Sequence, residues 1–499
     1  MVVLALLIQA SSSLLFAQEN KETSWGTFDL KISDFSFSTS LDDSVFFVGN
    51  LLEYEKDDFS AFVNPAFDLL YGLSQKNNLQ YGLGFNGHLK YKKWTASATF
   101  LGKNGNYLPY QEEFIRKWKV LPSMGMTRGL SNFYASYKEA HINFKPNNIF
   151  NFELGYGRNF IGHGHRSLLL SDFSSSSPYL KIQTSIWNLK YTNLFSIYDN
   201  IFNVEGAREL YQQKYVATHF LEWNIGDRVS LGLFESVVWE RDQGNYHRGF
   251  DVNYLNPIIF YRPVEYSIGS PDNMILGAQL AVKLTQHHQI YGQLVFDEFL
   301  LDELKADFQY FIMSNKDIQH GWWANKYAIQ AGWKATSLFG IPTIFARLEA
   351  NLVRPFSYAH SYPTQAYTHN NMSLAHPLGA SFLEGVSELS YTKGRWMVNL
   401  QYNISKQGSA SSVLTNTGNN LQLSTNTRAN TYGNYIAQGG TFKTKYLKTS
   451  TSYLLKKEWK AALELGFIYR ESGQGHNFRA DKMAYLRFRT NLFKQHFDF

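Results

Sequence analysis

Leu79-Gln80-Tyr81-Gly82-Leu83-Gly84-Phe85-Asn86-Gly87-His88-Leu89-Lys90-Tyr91 is followed by Lys92-Lys93 and then by Trp94-Thr95-Ala96-Ser97-Ala98-Thr99-Phe100. Leu79, Tyr81, Leu83, Phe85, Leu89 and Tyr91 are apolar or aromatic, with Gln80, Gly82, Gly84, Asn86, His88 and Lys90 between them. Successive side chains of a strand point to opposite faces, so this segment has one greasy face and one polar face. Beyond Lys92-Lys93 the pattern restarts, with Trp94, Ala96, Ala98 and Phe100 alternating with Thr95, Ser97 and Thr99. The two runs form a hairpin of strands about ten residues long, the length and alternation of strands that cross a membrane with their apolar side outward.

The signature recurs. Polar turns near 93, 147, 187, 226, 287, 340, 394 and 457 each separate two alternating runs. The turn at Trp187-Asn188 is required by parity, because two neighbouring short turns on one side of a barrel must enclose an even number of strands. The eight turns, with the strand arriving at the first turn and the stretch Phe62 to Leu73 before it, predict a closed antiparallel barrel of about eighteen strands, with sixteen as the alternative count. The barrel is expected over residues 61–499, short turns on the periplasmic side and long loops outside. Phe499 is expected to end a terminal aromatic strand, although the register slips between Phe493 and Phe497.

Composition agrees. The chain has 499 residues, 16% aromatic and only 18% charged, with 39 Phe, 32 Tyr and 11 Trp. Aromatics suit pleated surfaces and collect where a membrane meets water. Mean hydropathy is −0.30, and past the N-terminus no run approaches the roughly 18 uncharged apolar residues of a transmembrane helix. There is no cysteine, hence no disulfide to staple a small core. A net charge of +6, spread along the chain, carries no basic block that would point to nucleic acid. Residues 1–18 are uncharged and largely apolar and read as a signal peptide cut near Ala17 or Gln18, although no Lys or Arg precedes the apolar core. Residues 19–60 alternate poorly and read as a periplasmic or plug segment. The expected location is the outer membrane, with its lipid bilayer as the first partner.

The predicted external loops are Leu101–Leu130, Arg158–Tyr179, Asp199–Gln213, Trp239–Asn273, Asp297–Ala324, Arg354–Ser381, Ser405–Gly439 and Glu471–Lys482. Several exceed the roughly 12–15 residues beyond which a loop is usually functional. Gly408–Asn430, rich in Ser, Thr and Asn, reads as flexible and solvated; the others are expected to fold over or into the lumen as a plug. Sugars are held by aromatic faces stacking on C–H patches while amides, carboxylates and Arg bond the hydroxyls. Trp322, Trp323, Tyr254, Tyr358, Tyr362 and Tyr367 lie in the loops beside Asn256, Asn273, Asn325, Arg262, Arg354 and Glu384, which suits glycan binding. The bland reading is that the aromatics form a girdle or a plug core and their polar neighbours satisfy buried backbone.

The same loops carry a resemblance. Gly157-Arg158-Asn159-Phe160-Ile161-Gly162-His163-Gly164, with Ser167-Leu168-Leu169-Leu170-Ser171-Asp172 and Pro178, resembles the capsule-assembly Wzi family. So do Asn253-Tyr254-Leu255-Asn256-Pro257, Asp272-Asn273, Asp297-Glu298-Phe299, and Glu349 with Arg354-Pro355-Phe356-Ser357-Tyr358-Ala359-His360. Ala375-His376-Pro377-Leu378-Gly379-Ala380 with Glu384 is similar to the Bacteroidetes branch that includes the gliding-motility protein RemB. The resemblance spans about Arg158 to Glu384 and departs from the family at His163, where a bulky aromatic is more usual. It implies an eighteen-stranded barrel with a lectin-like role at the cell surface. On it, Arg158, Asp172, His360 and His376 join Glu384 among the candidate ligand-binding residues, and motility or envelope proteins become candidate partners beside surface polysaccharide.

Other chemistry is less well served. His163 and His165, and the adjacent His287-His288, have no Cys and no carboxylate at short spacing, so no metal site is expected. Asp297-Glu298 and Asp302-Glu303 read as a short amphipathic helix with a solvated acidic face rather than a catalytic pair. Arg347, Glu349, Glu384, Glu388, Arg487 and Arg489 read as a charged lumen wall, since charge is cheap toward the lumen and costly toward lipid. No Ser-His constellation stands out, so neither catalysis nor a cofactor is expected. A passive pore is the third function class.

Overall fold

The computed structural model describes residues 49–202, 204, 208–243, 246–255, 272–298, 300–311, 313, 317–409, 415–490 and 495–499. The proposed signal peptide, and residues 19–48 of the segment after it, lie outside the described residues.

Eighteen antiparallel strands close into a barrel. They are Phe59–Leu73 (β1), Asn78–Tyr91 (β2), Trp94–Gly105 (β3), Phe133–Phe144 (β4), Phe150–Gly157 (β5) and Ser177–Ile186 (β6). Leu189–Asn200 (β7), Gln212–Ile225 (β8), Val229–Glu240 (β9), Asn273–Lys283 (β10), His288–Phe296 (β11) and Tyr327–Ala335 (β12) follow. Ile344–Val353 (β13), Phe382–Lys393 (β14), Trp396–Gly408 (β15), Thr441–Lys456 (β16), Ala461–Gln474 (β17) and Asn477–Arg489 (β18) complete the wall. All eight predicted short turns are present. Lys92, Trp187 and Gly394 adopt positive φ there (51°, 53° and 60°), the backbone of tight two-residue hairpins. The strand arriving at the first turn already belongs to that turn's hairpin, so the two strands beyond the eight hairpins are β1 and β18.

The alternation does what the opening stretch predicts. Leu79, Tyr81, Leu83 and Phe85 face outward, Leu83 being 63% exposed, while Gln80, Asn86 and His88 are buried inward. At the short-turn end a girdle forms. Trp94 stacks on Phe144 at 4.3 Å between centroids and Trp396 meets Tyr453 at 4.8 Å, while Trp187 and Trp223 are exposed, as side chains at a membrane–water interface are. On the inner face one device repeats. A tyrosine lies across a glycine on the neighbouring strand and donates its hydroxyl to a lumen glutamate: Tyr179 over Gly155 to Glu153 at 2.6 Å, Tyr485 over Gly466 to Glu464 at 2.6 Å, and Tyr291 over Gly332 to Glu349 at 2.8 Å.

Closure is split by height. β1 pairs with β18 over Asp68–Leu73, and nearer the short-turn end its Phe59–Val63 edge is taken by a short strand, Leu52–Lys56. Beyond Arg489 the chain leaves the wall, after Thr490 Oγ1 accepts the Phe67 amide at 2.8 Å. Residues 495–499 lie inside the barrel, where Phe499 packs on Phe114, Phe173 and Tyr110. Phe499 therefore does not end a wall strand as expected, because buried partners for its ring and for Asp498 are waiting in the lumen.

Three further expectations are corrected. Glu471–Lys482 is no loop: β17 and β18 continue through it and turn at Gly475-His476. The described part of Gly408–Asn430 is packed rather than solvated. Asn416 Nδ2 donates to the Ser424 carbonyl at 2.9 Å, and Leu421 and Leu423 are buried; residues 410–414 lie outside the described set. A helix does form over Leu301–Phe311 with Asp302 exposed. The side chain of Asp297, before it, is 1% exposed and accepts the Tyr358 amide at 2.6 Å, because the loop carrying Tyr358 folds onto it, so it does not belong to a solvated acidic face.

Candidate functional site: the plugged lumen and its external rim

The plug begins where β5 ends. Arg158 reaches Glu139 Oε1 at 3.0 Å, the Tyr137 hydroxyl at 3.2 Å and the Asp172 carbonyl at 2.9 Å, pinning both ends of the loop that dives inward. Gly164 lies so close to the Glu349 carboxylate and to the Arg166 carbonyl that a Cβ would collide with both. The Glu349 carboxylate accepts the amides of His165 and Arg166 at 2.7 and 3.1 Å. Arg166 is 1% exposed and binds Glu384 at 3.1 Å and Asp498 at 3.1 Å. His376 Nε2 completes the cluster 2.6 Å from Glu384 Oε2, and His165 bridges Glu388 and Asp498. Each carboxylate is thus shared among several donors, the condition under which buried charge is tolerated. Asp172 is drawn in through His496 Nε2 at 2.9 Å.

Above this cluster lies an apolar core. Leu168, Leu169 and Leu170 pack with Tyr358, Tyr367, Leu374 and Phe382 against wall residues such as Val216, Phe234 and Ile275. The Tyr358 hydroxyl donates to the Leu168 carbonyl at 2.8 Å. Arg354 is spent on carbonyls: Asn325 at 3.1 Å, Asn434 at 3.0 Å and Trp322 at 3.1 Å. Asn325 donates to Asp307 at 2.9 Å, and Asn273 to the Gln365 carbonyl at 2.9 Å. Tyr254 stacks near Trp239 and donates to Asp272 at 2.6 Å. Burial lowers the pKa of His360, His369 and His376, all on the loop between β13 and β14. For His360 and His369 the pKa falls to about 4, with Lys326 and Lys214 adding to the shift; His376 is lowered too, against the pull of Glu384.

The predicted residues therefore separate into two groups. Arg158, Asp172, Tyr254, Asn273, Asn325, Arg354, Tyr358, His360, His376 and Glu384 are buried or nearly so and already bonded within the plug. Trp322 and Trp323 are half-buried at its external rim, 6.1 Å apart, with the Arg428 guanidinium 4.5 Å from the Trp323 ring. Asn256 and Arg262 lie outside the described residues. In the lumen a cavity of about 220 Å³ persists, lined by Arg347, Glu388, Lys448, Glu464, Arg487 and Arg489 among others.

No known protein family and no curated protein matches the sequence. Among solved structures the chain is similar to Wzi of Escherichia coli, described as an outer-membrane protein involved in group 1 capsule assembly and a carbohydrate-binding β-barrel. Identity is 12%, over 87% of this chain and 84% of that one, with a TM-score of 0.52. The fold is that of an outer-membrane β-barrel. Two Pseudomonas aeruginosa barrels are also similar: OprD (9% identity, 87% of this chain and 96% of that one, TM-score 0.41) and OccK9 (9%, 86% and 97%, 0.45). The likeness to Wzi agrees with the strand count and with the fold implied by the loop motifs. The similarity to the RemB branch stays with the motifs alone.

Sequence reasoning missed Arg166 and Asp498, the pair at the centre of the plug. Arg166 follows the Gly-His-Gly-His run directly, the single Arg or Lys between Asn159 and Tyr179, and that was a usable signal. Its partners lie 218 and 332 residues away, and nothing local announces them.

Proposed function

We propose that the protein is a non-enzymatic outer-membrane barrel that holds surface polysaccharide at its external mouth. The observation that carries this is the rim. Trp322 and Trp323 stand half-exposed on backbone that Arg354 and the Thr431 carbonyl clamp from below, the latter accepting the Trp323 amide at 2.9 Å. Rigid aromatics beside a cation are what a sugar surface needs, and a fixed backbone lowers the ordering cost of binding. The fold likeness to Wzi, itself described as carbohydrate-binding, supports the reading.

The test is cell-bound against released polysaccharide in a strain lacking this protein, with spreading scored on the same cultures. Polysaccharide shed into the medium is the expected result. Trp322→Ala with Trp323→Ala should leave a folded, heat-modifiable barrel whose affinity for that polysaccharide falls by about 1–2 kcal/mol, roughly tenfold. Full retention with lost spreading would replace this reading by the motility partner that the RemB-like motif Ala375–Ala380 favours. The charged wall around the 220 Å³ cavity favours a passive pore instead, and conductance decides that.

A further inference from the structure

The barrel wall has a notch. β4 pairs with β3 along its whole length, Trp94 with Phe144 through Gly105 with Phe133, but with β5 only over Ala140–Phe144. β5 stops at Gly157 because the chain there turns into the lumen to build the plug. From Phe133 to Glu139 the β4 edge therefore makes no ladder pairing with a wall strand, a stretch of about 23 Å along the strand at roughly 3.3 Å per residue. On the far side β6 covers β7 only up to Ser196. Part of the β4 edge is taken by the loop, through the paired amides and carbonyls of Arg128 and Tyr134 at 3.0 and 2.8 Å.

The notch leads into a cavity of about 750 Å³. Its wall side is apolar and faces lipid: Phe100, Tyr134 and Tyr156 project outward, alternating with the buried Phe133, Ala135 and Tyr137 on β4. Lys119, Arg128 and Lys138 also line it, no Asp or Glu does, and none of the three cations makes an ion pair among the described residues. Lys138 is the informative one. It sits mid-strand on the outer face, directly across from Phe100, where charge toward hydrocarbon is costly and rare without a role. A second cleft of about 530 Å³ shares Met126, Tyr156, Ser176, Tyr211 and Asn370 with the first and adds Asp199, Glu209, Gln213 and Asp242, a set suited to sugar hydroxyls.

We propose that this notch binds a phosphorylated glycolipid of the outer leaflet. Its acyl chains lie on Phe100, Tyr134 and Tyr156, its phosphate meets Lys119, Arg128 and Lys138, and its sugar enters the adjoining polar cleft. The phosphate supplies the counter-charge that the three cations lack among the described residues, and the acyl chains keep the glycolipid at the level of the wall. The site lies on the wall side of the barrel, away from Trp322 and Trp323, so it stands whether or not the rim holds polysaccharide.

The test uses the whole barrel, delipidated in neutral detergent and titrated with a diphosphorylated lipid A, with bound lipid read by native mass spectrometry. One retained lipid per barrel is expected, with the affinity falling at least tenfold when Lys119, Arg128 and Lys138 are all changed to Gln, or when the lipid is dephosphorylated. Lys138→Met keeps a folding control within the experiment. It should raise the unfolding temperature, by removing a charge from lipid, while weakening the bound glycolipid. Unchanged binding in the triple variant would overturn the proposal. So would equal binding of phosphatidylglycerol, which has the phosphate and the chains but no sugar.

Discussion

Arg166 shows how much a single side chain can hold. It is 1% exposed, between Glu384 and Asp498, and removing one member of such a cluster leaves the others buried without compensation. Arg166→Ala should cost about 3–5 kcal/mol, read as a lower unfolding temperature and as new protease cleavage in residues 158–176. The loop histidines set a pH response. Unfolded, each takes up a proton near 6.5; folded, His360 and His369 do so only near 4. Between those values the unfolded chain holds more protons, so stability is full above about 6.5 and is lost as pH falls toward 4, by up to about 1.4 kcal/mol per unit for each histidine. Unfolding temperatures in detergent should therefore drop from pH 7.5 to pH 5, and His369→Asn should flatten that slope. A flat profile in the unmodified protein would mean the histidines are not buried as described.

Among the elements, the crossed glycine–tyrosine pairs decide how closely neighbouring strands are furnished on the lumen side. A Cβ on Gly155 would stand 2.6 Å from the ring of Tyr179, so Gly155→Ala must push the ring off Glu153. A cost of about 1–3 kcal/mol follows from overpacking and the lost hydrogen bond. Tyr179→Phe should lose only the hydrogen-bond part, and urea titration of the folded barrel in micelles compares the two. The same scale shows what was readable in advance. The hairpin at Lys92-Lys93 follows from local alternation, and the tight turn at Trp187-Asn188 from the parity of strands between the turns near 147 and 226. The packing of Asn416 to Leu423 was not readable, because Ser, Thr and Asn serve a solvated loop and a hydrogen-bonded cap on a plug equally well. The place of residues 495–499 in the lumen was hidden for a similar reason, since Phe497 and Phe499 suit a terminal strand and a lumen core alike.

For the whole molecule the question is whether eighteen strands enclose a passage. The loops, the helix Pro109–Trp118 and residues 495–499 pack together inside the wall. The expected outcome in a planar bilayer is therefore no open-channel steps, whereas variants that loosen the plug, such as Arg166→Ala, should give intermittent ones. Regular steps from the unmodified protein would turn the reading toward a pore.

By itself the sequence determined the barrel and a count of about eighteen strands, because alternation and turn chemistry depend only on neighbours a few residues apart and parity needs only the order of the turns along the chain. It also marked Trp322 and Trp323 as loop aromatics among amide, carboxylate and Arg side chains. Only the tertiary structure decided that ten of the candidate residues are consumed in fastening a plug, that Arg166 and Asp498 form its centre, and that the wall opens beside β4. Those features come from groups up to 332 residues apart meeting in one lumen. The energies that select such meetings, burial and shared charge, depend on the closed wall and leave no periodic trace in the chain.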